Sequence, residues 1–202
     1  FSHAANLCGV DTFLRWLIEV PETVHRMLRL MTDHILSVAQ LFIETFGKGR
    51  VLARSAATVE SLISPRHFEE FALPYLQELH QKVLDMGARS VYCHICGEQN
   101  HNLSLWAQVP FGDPGMLSIG HEVDLLVAAK HFPDHIIAGN VDPRLISQGT
   151  PAQVYEACRE TIEKGKKIPG GFVFMGGCEI PVSTPPYKVY LMSKAAEEFG
   201  WY

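Results

Sequence analysis

The chain has 202 residues, 47% of them hydrophobic, and a formal net charge of −5, so it can bury a substantial core and offers no basic footprint for nucleic acid or an anionic membrane surface. Charge or proline interrupts every apolar stretch before the roughly 20 residues needed to cross a bilayer, and the start carries no signal-peptide pattern. Five scattered cysteines, Cys8, Cys93, Cys96, Cys158 and Cys178, lack the density of a disulfide framework, so a reducing cytoplasm is the expected compartment.

No internal repeat, low-complexity tract or Gly/Ser linker divides the chain, and residues 1–202 are read as one structural unit. It opens on Phe1-Ser2-His3, the start expected of a processed or truncated chain. From Pro21 to Phe46, apolar residues recur at helical spacing, with Pro21 suited to the first turn and Gly47 to the stop. Arg50 to Ala53 predicts a short strand. Ser64-Pro65 caps and opens a helix running to about Met86, which Gly87 closes. Ser90-Val91-Tyr92-Cys93-His94-Ile95 is a β-branched and aromatic run broken by Gly97, the pattern of a strand.

Further strands are expected at Gly115–Ile119, His135–Ala138 and Phe172–Met175. Helices are expected from Val123 to Phe132, from a Thr150/Gln153 capping box to about Lys164, and from about Pro186 to Phe199. Short apolar strands alternating with helices predict an α/β fold with a parallel sheet covered by helices. Five strands cannot close an eight-stranded barrel, for which about 250 residues are typical. Periodicity therefore leaves two readings, an open sheet or a barrel lacking its front.

Cys93-His94-Ile95-Cys96-Gly97 is the densest chemical constellation. Strand side chains alternate faces, so His94 and Cys96 point one way, Cys93 and Ile95 the other. Cys178 follows Gly176-Gly177 at another strand end, the end of a parallel barrel where sites are built. One nitrogen and two thiolates form a recognised catalytic zinc set with an open fourth position, and a metal-bound thiol is deprotonated outright. The competing reading makes the cysteines small buried hydrophobes and His94 a satisfied core histidine. Spacing alone leaves both open.

Several runs, in order, resemble one family across nearly the whole chain: Leu62-Ile63-Ser64-Pro65-Arg66-His67-Phe68-Glu69-Glu70-Phe71, Leu73-Pro74-Tyr75, His94-Ile95-Cys96-Gly97, Gly139-Asn140-Val141-Asp142-Pro143 and Gly177-Cys178-Glu179-Ile180-Pro181. They are similar to the C-terminal half of the uroporphyrinogen decarboxylase superfamily. The His-x-Cys pair with a distant Cys resembles its zinc-dependent corrinoid methyltransferases, such as methylcobalamin:coenzyme M methyltransferases and the methyltransferase components of O-demethylases. The resemblance implies the C-terminal portion of a (β/α)8 TIM-type barrel, with about five βα units present and the first strands before Phe1. It also implies Zn2+ at His94, Cys96 and Cys178, as both metal and catalytic residues.

The activity so implied is methyl transfer between a corrinoid, carried by a separate protein, and a small thiol or methyl-ether or amine-type substrate. Asn140 and Asp142 are candidates to line the cofactor pocket or orient a ligand, although Asp142-Pro143 is equally a turn signal. Glu179 is a candidate fourth ligand or a solvated carboxylate, and Glu60 is expected to be an exposed loop residue. Where those methyltransferases carry an acidic Asp-Pro pair, this chain has Ser55-Ala56 after Arg54, which leaves the methyl donor and acceptor open. Two alternatives accompany this expectation: a metal-free tetrapyrrole decarboxylase, and a non-catalytic corrinoid-binding or zinc-stabilised accessory protein with a closed four-ligand site.

Overall fold

The computed structural model describes residues 1–201. Three helices open the chain, α1 (Ser2–Cys8), α2 (Val10–Glu19) and α3 (Pro21–Phe46), and the first βα unit follows with β1 (Leu52–Ala57). After β1 come α4 (Pro65–His67), a π-helical turn (Phe68–Ala72) and α5 (Leu73–Met86), then β2 (Ser90–Ile95), α6 (Leu103–Trp106), β3 (Met116–Ile119), α7 (Leu125–His131) and β4 (Ile136–Val141). The chain continues through α8 (Pro143–Gln148), α9 (Pro151–Gly165), β5 (Phe172–Gly176) and α10 (Pro186–Phe199).

All four strand pairs are parallel, and the spatial order is β1-β2-β3-β4-β5. A doubly wound sheet reverses its strand order at a switch point. Here there is no reversal, so right-handed crossovers lay every connecting helix on one face of the sheet. This is the winding of a (β/α) barrel, which the family resemblance implies and periodicity left open, and it leaves the other face free to be an interior.

Side-chain parity divides the two faces. Val91, Cys93 and Ile95 point into the helical layer, where they are buried with Leu117, Ile119, Ile137, Trp106 and Phe111. Tyr92 and His94 point to the inner face and are half-buried, and Arg54 and Ala56 on the neighbouring strand are exposed there. A second core of Val141, Ile146, Val154, Cys158 and Ile162 lies beneath α8 to α10.

Most predicted elements stand where expected, and the differences have physical causes. The first strand begins at Leu52 and continues through Ser55-Ala56-Ala57. Those small residues have little strand propensity of their own, but in-register pairing of Leu52–Ala57 with Ser90–Ile95 holds them extended. The predicted helix from Pro65 to Met86 is interrupted by the π turn: Pro74 has no N–H to give Glu70, and Leu73 N–H instead reaches back to the Phe68 carbonyl. No helix is expected from the sequence at α1, α2, α6 or α8. Their local signals are slight: Phe13 and Leu17 are the buried residues of α2, and Asp142 is the cap of α8.

Candidate metal centre

His94 is the inward-facing residue one place before the end of β2, and Cys96 lies just beyond it. The Cys96 N–H donates to the Ala57 carbonyl at 2.9 Å, so the first residue of the loop is still pinned to β1. Gly97 then turns the chain at φ 78°, a conformation that residues with side chains rarely adopt, and a Cβ there would meet the Ser61 hydroxyl at 2.9 Å.

Cys178 arrives from the other end of the sheet. After β5, Gly177 N–H donates to the Val141 carbonyl at 2.8 Å. A Cβ on Gly177 would lie 2.8 Å from the backbone nitrogen of His121, so only glycine lets this loop pack down onto the β3–α7 connection. The result brings the Cys178 Sγ to 3.3 Å from the Cys96 Sγ, 82 residues away in sequence. The ligand atoms of His94, Cys96 and Cys178 all lie within 4.8 Å of one another, the only such group of potential ligands among the described residues. Two thiolates on one tetrahedral zinc stand about 3.8 Å apart, from bonds of about 2.3 Å, so the three donors fit a single ion with adjustments of about half an ångström.

Burial sets the protonation of the cluster's donors. Burial, and then the neighbouring Cys178 thiol, push the Cys96 thiol up to about 12. Burial, and then the positive charge of Arg54, hold His94 below the ordinary imidazole value, outweighing Glu179 and the Ser118 hydrogen bond. A metal ion inverts the thiol preference and needs the neutral imidazole that burial already supplies. His94 Nδ1 lies 2.9 Å from the fully buried Ser118 Oγ, which leaves Nε2 as the nitrogen for the pocket.

The cluster sits in a cavity of about 370 Å³ lined also by Arg54, Ala56, Thr58, Tyr92, Met175 and Glu179. Glu179 lines it from outside the ligand group. Cys93, on the opposite face, is fully buried, and burial pushes its thiol up to about 12.

Asn140 and Asp142, the candidates to line the cofactor pocket, are not among the residues lining this cavity. The Asn140 amide donates to the carbonyls of Gly120 at 3.1 Å and Val123 at 2.7 Å, clamping the β3–α7 connection. Asp142 caps α8 by accepting from Arg144 N–H at 2.8 Å, and its other carboxylate oxygen faces His121 Nε2 at 3.6 Å. Glu60, expected to be exposed, is buried: the Ser2 hydroxyl donates to its carboxylate at 2.6 Å. Sequence reasoning missed Ser118, Tyr92, Thr58 and Met175. Inner-face parity with His94 marks Tyr92, whereas Ser118 emerges only once β3 is in register, paired with His94.

The sequence model of the uroporphyrinogen decarboxylase (URO-D) family matches residues 1–199. The chain belongs to that family. It is 26% identical to the methylated-thiol–coenzyme M methyltransferase of Methanosarcina mazei, over 98% of this chain and 51% of that protein. It is 24% identical to the uroporphyrinogen decarboxylase of Trichodesmium erythraeum, over 89% of this chain and 49% of that one. A solved methyltransferase structure from Methanosarcina mazei superposes with a TM-score of 0.78 at 23% identity, covering 98% of this chain and 56% of that one, which establishes the shared fold. This URO-D family chain thus spans about half the length of the curated relatives it matches.

Proposed function

We propose that this URO-D family protein is a zinc-dependent methyltransferase that moves a methyl group between a corrinoid, held on a partner protein, and a small thiol or methyl-ether or amine-type substrate. The observation that carries the reading is the convergence of His94, Cys96 and Cys178 within 4.8 Å at the C-terminal ends of the strands. When bound there, zinc supplies a Lewis acid that lowers the pKa of a thiol or improves an ether or amine leaving group.

The chain's own residues prepare that site. Cys96 and Cys178 offer two soft donors that lose their protons to a cation, and His94 offers a neutral imidazole whose orientation Ser118 fixes. Three protein ligands leave the fourth tetrahedral position to the substrate. Asn140 braces the β3–α7 connection through Gly120 and Val123, and Asp142 caps α8. The corrinoid protein docks over the C-terminal ends of the strands, and the protein works in the cytoplasm, where thiols stay reduced. The thiol side of the proposal leans on the Methanosarcina relative, whose name gives methylated thiols and coenzyme M as its substrates.

A second reading, a metal-free tetrapyrrole decarboxylase, is favoured by relatives named uroporphyrinogen decarboxylase at 23–25% identity. It leaves the clustered thiols without a role. The deciding experiment incubates the full-length, zinc-loaded protein with methylcobalamin and a panel of small thiols and follows loss of the cobalt–carbon absorption. Methyl transfer that chelation abolishes is expected. Conversion of uroporphyrinogen by metal-free protein, with no methyl transfer, would overturn the proposal in favour of the second reading.

A further inference from the structure

Gln99 is a polar side chain in an apolar place. It lies three residues beyond Cys96 and is fully buried, as are Ile95, Leu103 and Trp106. Its amide is paired at both ends. The Trp106 indole N–H donates to Gln99 Oε1 at 3.1 Å, and Gln99 Nε2 donates to the Cys96 carbonyl at 3.3 Å. An indole nitrogen can only donate, so Trp106 fixes which end of the amide is the oxygen and leaves the N–H end for Cys96. Trp106 is itself held edge-on to Phe68, with ring centroids 4.9 Å apart.

This series of bonds ends on the backbone of a candidate metal ligand. The peptide before Cys96 is held on both sides: the Cys96 N–H donates to the Ala57 carbonyl at 2.9 Å, and the Ile95 carbonyl accepts from Gly120 N–H at 3.0 Å. The peptide after Cys96 has left the strand, and Gly97 turns the chain. There the Gln99 amide is the only hydrogen-bond partner of the Cys96 carbonyl among the described residues. With both peptides fixed, only rotation about χ1 remains to aim the Cys96 Sγ at the position it shares with His94 and Cys178. Burying an amide is unfavourable unless its groups are paired. Packing alone would be better served here by an apolar side chain of the same length, which would leave the indole N–H and the Cys96 carbonyl unpaired.

We infer that Gln99 is a positioning residue for the metal centre: held by Trp106, it fixes the backbone of Cys96 and with it the place of one thiolate. The inference rests on the proposed zinc-centred reading and adds to it a residue that is not among those lining the cavity.

The test loads the full-length protein with cobalt(II) in place of zinc and compares the parent with Gln99→Met, which keeps the length of the side chain and removes the amide. Metal affinity is read by competition with a chromophoric chelator. The visible d–d and sulfur-to-cobalt bands at saturating cobalt report ligand geometry in the folded, loaded protein, which a loss of global stability alone does not move. The expected result is an affinity weakened at least about tenfold, with shifted d–d bands and unchanged circular dichroism. Trp106→Phe keeps an aromatic ring but frees the amide to turn over; it should shift the bands in the same direction by less, and it carries the test if Gln99→Met does not fold. Parent-like affinity and bands in the folded variant would overturn the assignment and leave the metal reading standing. A folded parent that binds no cobalt would instead overturn the metal reading, and the assignment with it.

Discussion

Ser118 contributes no ligand, yet the orientation of His94 depends on it. Its hydroxyl is fully buried and holds Nδ1 at 2.9 Å, and removing such a partner from a ligating histidine typically weakens metal affinity by 10- to 100-fold. We expect Ser118→Ala to lose zinc affinity in about that range with its circular dichroism unchanged, as measured by competition with a chromophoric chelator; unaltered affinity would contradict the role. Alternation along β2 made the facing of His94 and Cys93 readable from sequence, because strand parity is a local property. The identity of the partner was not readable, since it depends on the register of β3, and neither was the burial of Glu60, which follows from the Ser2 hydroxyl of a distant helix.

At the scale of elements, local signals were sufficient where a cap or a strong period marked the boundary. Pro21 and Gly47 bracket α3, and the Thr150/Gln153 box opens α9. Boundaries set by tertiary pairing escaped, as β1 shows. The packing of α5 carries a pH dependence. His80 on α5 is buried, its Nδ1 lies 3.0 Å from the Pro110 carbonyl, and its Nε2 has no partner. Burial lowers it from 6.5 to about 4. Above pH 6.5 the folded and unfolded chains both hold it neutral; between pH 6.5 and about 4 only the unfolded chain takes up the proton, so stability is lost as the pH falls through that window. The loss is roughly 3 kcal/mol. Denaturant unfolding across this range should show that decrement in the parent and its absence in His80→Phe, and parallel curves would contradict the assignment.

For the molecule as a whole, the order β1-β2-β3-β4-β5 decides what the site can be. Single winding places all the strand ends, and therefore His94, Cys96 and Cys178, on one rim, with the helices together on the outside. Strand and helix alternation gave the α/β class from sequence, but it left open whether the sheet closes on itself, and the convergence of Cys178 on Cys96 is a property of the whole sheet that spacing could not supply. The central claim is that these three residues hold one zinc ion. It is tested most directly by elemental analysis of zinc per chain after exhaustive dialysis, on the parent protein and on Cys178→Ala. Near-stoichiometric zinc in the parent, lost in the variant, is the predicted result; a folded parent without zinc, or a Cys178→Ala variant that retains it in full, would contradict the account.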